Sequence, residues 1–248
     1  MHTKWLYNRM SKSQALAHLH AEQFDRVTVS FYRYVHIVDP KKLRDELYIE
    51  WNTLGVLGRV YISTEGINAQ VSVPEHHWDT FASHVHDIAL FKDIPFKVAV
   101  LQDRRSFWKL IVRIKKQIVA DGLDYGDYNI ENVGNHLTAR QFNTAMDQPD
   151  TIVVDMRNHY ESHIGHFNNA LCPDVDTFRE QLPRVAQSLA DNKDKKVLLY
   201  CTGGIRCEKA SAYLKHRGFT DVNQLHGGII DYAHQVREQG LESKFKGK

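Results

Sequence analysis

Two short stretches, TIVVD (151–155) and KVLLY (196–200), are apolar at consecutive positions rather than alternate ones. A strand with one wet face alternates in polarity. A short run that is apolar throughout is buried on both faces, and such strands belong to parallel sheets with helices on each side. The intervening patterns supply those helices. Thr138 can cap a short helix. Thr177 opens another, with Phe178, Leu182, Val185 and Leu189 on one side. A third carries Ala210, Tyr213 and Leu214 inward and stops at Gly218, a position suited to a left-handed cap. After a strand at VNQL (222–225), GGIIDYAHQVREQG reads as the last helix. Strands alternating with helices over 136–240 predict an α/β domain built on a parallel sheet.

The first half has a different rhythm. Residues 1–26 form a polar, helical lead-in without evident chemistry. VTVSFYRYVHI (27–37) is β-branched and aromatic, as a strand is. Asp39-Pro40 then opens a helix with Asp39 as cap, and Leu43, Leu47 and Trp51 recur along it until Gly55. GRVYIS (58–63) and INAQVSV (67–73) flank Thr64-Glu65-Gly66, a hairpin signal. Pro74 starts a second helix in which Trp78, Phe81, Val85 and Ile88 share a face, and FKVAVLQ (96–102) is a fourth strand. The order β-α-β-β-α-β predicts a ferredoxin-like α+β domain over 27–120. DGLDYGDYNIENVGN (121–135) lacks periodicity and reads as a linker, and 241–248 as a tail.

Composition narrows the functional classes. Net charge is +2 with a pI near 8.3, which permits a nucleic-acid partner without demanding one. The opening residues lack the apolar core of a signal peptide, and no stretch approaches the roughly 20 apolar residues that span a bilayer. Three cysteines, Cys172, Cys201 and Cys207, are too sparse for a secreted disulfide scaffold and fit a reducing cytoplasm. No C-x-x-C pair offers a cysteine zinc site.

The chemistry is expected where KVLLY stops. Cys201 sits at the carboxyl end of that strand, the edge of a parallel sheet where ligands bind. Thr202, Gly203, Gly204, Ile205 and Arg206 then lead straight into a helix. The two glycines let successive N–H groups curl into an anion-binding nest. The helix N-terminus adds its positive end, and Arg206 a full charge if it turns back. All three favour thiolate over thiol at Cys201, making it a nucleophile or a sulfur carrier. The plain alternative is an inert buried cysteine before a turn. Strand, loop, arginine and helix together favour the reactive reading. Cys207, in the first helical turn, is either a small residue facing the loop or a partner that resolves an oxidised Cys201. Cys172, before Pro173, reads as structural.

Asp155 and Arg157 end the neighbouring apolar run, beside the cysteine loop if the two strands adjoin. Glu161 can pair with an arginine and hold the geometry. His163 and His166 lack companion ligands, so no metal is expected. Arg104, Arg105, Trp108 and Lys109, continuing to Arg113, Lys115 and Lys116, mix cations with aromatics, which can meet phosphates and stack on unpaired bases. A strand with one core face and one basic wet face explains the same pattern. Lys209, Tyr213, Lys215 and Arg217 can extend a basic rim.

DMRNHYESHIGHF, LLYCTGGIRCEKA and HGGI together resemble the rhodanese (sulfurtransferase) domain. The resemblance implies that Cys201 is a persulfide-bearing nucleophile and that Cys201 to Arg206 is its cradle. The similar loop of cysteine phosphatases is one residue longer, which disfavours phosphatase activity. Asn169 departs from the family, which has glycine there. DPKKLRDELYIEWNTLGVLGRVYISTEGINAQVSV further resembles the N-terminal domain of the bacterial tRNA uridine hydroxylase family, and the similarity runs over roughly residues 27–240. It implies hydroxylation of the wobble uridine to 5-hydroxyuridine with molecular oxygen as co-substrate, and the tRNA anticodon loop as partner. Many members continue past the point matching Lys248 into a cysteine-rich tail, and metal binding by such a tail is not carried over. No flavin, haem or iron-ligand signature is present, so no further cofactor is expected. A sulfurtransferase carrying a persulfide on Cys201 is the alternative enzyme. A non-catalytic binding module has no need of the Cys201 and Arg206 cradle. As a reactive group, Cys201 can act as a thiolate adding to the uracil ring or in an oxidised or persulfidated form.

Overall fold

The computed structural model describes residues 6–8, 10–99, 107–124 and 126–247. They divide into two compact units, Met1–Ile118 and Val119–Lys248.

In the first unit, α1 (Lys12–Ala21) is capped by Ser11, whose side chain accepts from the Gln14 N–H. Next come β1 (Arg26–Tyr34), α2 (Pro40–Thr53), β2 (Leu57–Ser63), β3 (Gly66–Pro74), α3 (Trp78–Asp87), β4 (Lys97–Val98) and β5 (Leu110–Ile114). The sheet order is β4-β1-β3-β2-β5, antiparallel except for β2 with β5. Alternation explains its faces. Val29, Phe31, Val60, Ile62, Ile67, Ala69 and Val71 point into a core closed by Leu47 and Trp51 of α2 and Phe81 and Val85 of α3. The side chains between them face the other way. Asp39 accepts from the Lys41 and Lys42 amides with Pro40 in the first turn, as expected. Two expectations shift. Pro74 ends β3 rather than starting a helix, and a short 3-10 turn over Glu75–His77 leads into α3. The fourth strand pairs over Lys97–Val98, and residues 100–102 of the expected strand lie outside the described residues. The basic segment supplies a fifth strand, with Leu110 and Val112 buried and Arg113 exposed.

In the second unit, β6 (Asn135–Leu137), α4 (Ala139–Met146), β7 (Thr151–Asp155), α5 (His159–Ile164), β8 (Gly165–Phe167), α6 (Phe178–Ser188), β9 (Lys196–Tyr200), α7 (Ile205–His216), β10 (Asp221–Leu225), α8 (Gly228–Gln239) and β11 (Phe245–Gly247) follow in order. The sheet runs β6-β10-β9-β7, all parallel. Its consecutive apolar residues serve both faces. Val197 and Leu199 pack with Leu182, Val185, Ala210 and Leu214, while Leu198 and Tyr200 pack with Phe142, Phe167 and Tyr232. Each such side chain removed from water stabilises the fold by about 1.5–3 kcal/mol. The architecture is the α/β one expected. Residues 121–135, read as a linker, lie within this unit. Leu123 and Tyr128 pack against its core, and buried Asp121 pairs with Lys209 Nζ at 3.0 Å. Asn169 takes φ 57°, a left-handed turn that glycine adopts freely and asparagine tolerates, so the departure from the rhodanese pattern keeps the turn.

Candidate active site

β9 delivers Cys201 to the carboxyl edge of the sheet, and the chain turns at Gly204, φ 94°, into α7. Gly204 is the residue before the helix and has no side chain to cap it. The first-turn amides therefore need another acceptor, and the sulfur is it. The Gly204 N–H donates to Cys201 Sγ at 3.1 Å. The Arg206 and Cys207 amides also donate to it. Burial pushes the Cys201 pKa up. The Cys207 thiol, the Arg206 charge and those two amides outweigh it and bring the pKa down to about 6. Cys207 moves the opposite way, driven up by burial and by the thiolate it faces. Cys201 is fully buried, yet the amides point at its sulfur. Around it Thr202, Gly203, Ile205 and Arg206 are only half-buried, and a Cβ added at Gly203 would meet nothing within 4 Å.

The loop is held from two sides. Glu161 on α5 accepts from Arg206 Nη1 at 2.7 Å and Nη2 at 3.0 Å, and from Thr202 Oγ1 at 2.7 Å. Burial raises the Glu161 pKa, but Arg206 and Thr202 lower it further, so the net shift is down. Arg206 thus braces the loop through Glu161 while its charge also reaches the sulfur. From α8, the Ile229 N–H donates to the Cys201 carbonyl at 3.0 Å and the Ile230 N–H to that of Thr202 at 3.2 Å. This contact explains the HGGI tract. Gly228 has φ 69°, and a Cβ there would lie 2.6 Å from both carbonyl oxygens. The sequence reading missed this support, although a glycine pair before a helix was its signal, as at Gly203-Gly204.

β7 does adjoin β9. Asp155, fully buried, takes Arg157 Nε at 2.9 Å, Arg157 Nη2 at 2.6 Å and the Tyr200 hydroxyl at 2.8 Å. This buried network fixes the ends of both strands and does not touch the sulfur directly. Cys172 donates to the Ala170 carbonyl at 3.5 Å, and burial raises its pKa. His166 Nδ1 lies 3.0 Å from the Phe167 carbonyl, and His163 packs edge-on to His159. Among the described residues no group of three or more His, Cys, Asp or Glu side chains is placed to hold a metal ion.

The expected RNA contacts divide. Arg104 and Arg105 lie outside the described residues. Trp108 is half-buried, with Lys109 Nζ 4.4 Å from its ring centre. Tyr213 needs correction. It is buried, packs edge-on to Tyr128, and its hydroxyl accepts from Arg217 Nη1 at 3.1 Å. Lys209 is likewise interior, bound to Asp121 and to the Val119 carbonyl at 3.0 Å. Neither belongs to a basic rim. No helix of the described residues is long and apolar enough to cross a membrane.

Two family matches cover most of the chain: a UPF0176 acylphosphatase like domain over residues 26–118 and a rhodanese-like domain over residues 138–235. Three similar proteins are called tRNA uridine(34) hydroxylase. The protein from Leptospira interrogans is 56% identical over 243 residues, covering 98% of this chain and 66% of its own length. That from Pectobacterium carotovorum is 51% identical over 244 residues, covering 98% and 69%. That from Escherichia coli (strain SE11) is 48% identical over 244 residues, covering 98% and 70%. The chain thus spans about two thirds of the length of these relatives. Solved structures align with part of it. A rhodanese-like domain from Anabaena sp matches with a TM-score of 0.36 and 16% identity, over 46% of this chain and 79% of that one. One from Staphylococcus aureus matches with 0.33 and 22%, over 40% and 90%.

Proposed function

The chain belongs to the tRNA uridine(34) hydroxylase family, and from that membership we propose that it hydroxylates the wobble uridine of tRNA to 5-hydroxyuridine, using molecular oxygen and the Cys201 sulfur. The observation that carries the role of Cys201 is its amide-bound sulfur at a strand end, with a pKa near 6. At neutral pH that sulfur is anionic. A thiolate can add to carbon 6 of a uracil ring, forming the S–C bond and moving the π pair toward carbon 5. Carbon 5 then meets oxygen as a nucleophile. One oxygen atom stays on carbon 5 and the other leaves as water, with two electrons from an external reductant and, net, two protons. Loss of the carbon 5 proton then expels the Cys201 thiolate, breaking the S–C bond and restoring the ring double bond. Arg206, Thr202 and Glu161 hold the cradle in shape, Gly203, Gly204 and Ile205 complete its wall, and Asp155 and Arg157 fix the strand end beneath it. Trp108 and Lys109 offer a ring and a charge to the anticodon loop. The setting is the cytoplasm, where mature tRNA is found.

The test is nucleoside mass spectrometry of tRNA from cells whose only copy is Cys201→Ala. The expected result is no 5-hydroxyuridine at position 34, with the melting temperature of the purified variant within about 2 °C of wild type. Full modification in those cells would sink the role of Cys201. Fast sulfur transfer from thiosulfate to cyanide, with tRNA unchanged when the gene is lost, would instead install the sulfurtransferase.

A further inference from the structure

α2 and α3 of the first unit pack on one face of its sheet. On the other face, β2, β3 and β5 carry Arg59, Tyr61, Gln70 and Arg113. In register, Arg59 pairs with Gln70 and Ile111, and Tyr61 pairs with Arg113. Arg59, Gln70 and Arg113 are exposed and Tyr61 is half-buried. Lys115, also exposed, sets its Nζ 5.4 Å from the Tyr61 ring centre. From strand spacings, Arg59 and Arg113 stand about 8 Å apart on the diagonal. The strands themselves, RVTVSFYRY, LGRVYIS, GINAQVSVP, KV and LIVRI, contain no acidic residue. Neither Arg59 nor Arg113 has an ion-pair partner among the described residues. The patch ends at β3, where Asn68, the register partner of Tyr61, donates its Nδ2 to the Ile118 carbonyl at 3.3 Å.

We propose that this face, centred on Tyr61 and ringed by Arg59, Arg113 and Lys115, binds a single-stranded stretch of the tRNA substrate. The proposal rests on the tRNA reading above and names a surface for it. Three exposed cations, Arg59 and Arg113 on strands and Lys115 just past the end of β5, match a polyanion and repel a cationic partner. The nearby Glu65 carboxylate at the β2–β3 hairpin is engaged by the Ile118 N–H at 2.6 Å. An aromatic ring among them supplies what an unpaired base stacks on, whereas a duplex keeps its bases covered. Gln70 adds an amide that can donate to or accept from a base edge. A ferredoxin-like sheet presenting an aromatic and basic face is a known way for proteins to read single-stranded RNA.

The test uses the full chain, a fluorescein-labelled anticodon stem-loop RNA and a stem-only duplex of the same helix. Arg59→Gln with Arg113→Gln should weaken stem-loop binding about tenfold and reduce the slope of log affinity against log salt by roughly 1.4–1.8. Both side chains are exposed, so the melting curve should not move. Tyr61→Phe should bind as wild type does, and Tyr61→Ala about fivefold or more weaker. Unchanged affinity and salt slope in the double arginine variant overturn the proposal. Equal loss on the stem-only duplex overturns the single-stranded assignment. A changed sedimentation coefficient with unchanged RNA affinity shows a contact between copies of the chain instead. The two readings separate cleanly: wild-type hydroxylation with unaltered RNA binding by the variants removes only this surface, and weakened RNA binding without any hydroxylation by wild type removes only the reaction.

Discussion

Cys201 and Cys207 are both fully buried, six residues apart, and their proton affinities are driven in opposite directions. Burial alone would raise both. The difference is that the first-turn amides converge on Cys201, so the negative charge settles there and Cys207 keeps its proton as a donor. Cys201 is anionic above about pH 6 and neutral below it, so its reactivity should rise through pH 6 and level off by pH 7. In Cys207→Ala the donor is gone, and the midpoint should move up toward the value of an ordinary thiol. The pH dependence of the iodoacetamide alkylation rate, read at Cys201 by peptide mass spectrometry, measures both. A wild-type midpoint of 8 or above, or an unmoved midpoint in the variant, contradicts this assignment of charge. Such opposite shifts are unreadable from CTGGIRC alone, because they depend on which way a buried thiol turns.

At the scale of elements, the loop between β9 and α7 is rigid because α5 and α8 hold it from outside. Removing the Glu161 charge tests the α5 brace. Glu161→Gln leaves Arg206 largely buried with half its partner, which should cost about 1–3 kcal/mol in urea unfolding. It should also lower kcat more than it raises KM for tRNA, since the loop shapes the thiolate rather than the RNA surface. A stable variant with wild-type kcat would show that the brace is dispensable. The same elements show what was legible. β7 and β9 stood out because three and four consecutive residues of mixed facing (152–154 and 197–200) are apolar, and α2 and α6 because their caps and one-sided apolar spacing agree. That Glu161 pairs with an arginine was legible as charge complementarity; that the arginine is Arg206 is set by the fold. α5, only six residues long, and the pairing of β8 with β11, far apart in sequence, carry no period to read. Tyr213 and Lys209 misled for another reason. Cys207 and Lys209 through Leu214 are all buried, so α7 has almost no wet stripe and a lysine on it signals no surface. Its ammonium is interior because Asp121, 88 positions earlier in the sequence, and the Val119 carbonyl come to meet it.

Across the whole molecule, charge and chemistry reside in different halves. Residues 1–118 hold 17 Lys and Arg against 12 Asp and Glu, whereas residues 119–248 hold 15 against 18. A net +2 chain therefore conceals a basic unit and an acidic one, and Cys201 lies in the acidic one. A polyanionic substrate should be captured mainly by the first unit, through phosphate contacts that release counterions. The reacting sulfur is tuned instead by the Cys207 thiol and the loop amides at hydrogen-bond range and by the largely buried Arg206 charge, which salt screens little. Raising salt from about 50 to 200 mM should then increase KM for tRNA by at least tenfold while kcat changes less than about twofold. Over the same range the alkylation rate of Cys201 by uncharged iodoacetamide should stay flat. Steady-state hydroxylation kinetics and the alkylation assay, run in the same buffers, decide it. If kcat and the alkylation rate fell with salt as steeply as tRNA affinity, the thiolate would be held by screened surface charge, and amides at its sulfur could not be what keeps it ionised.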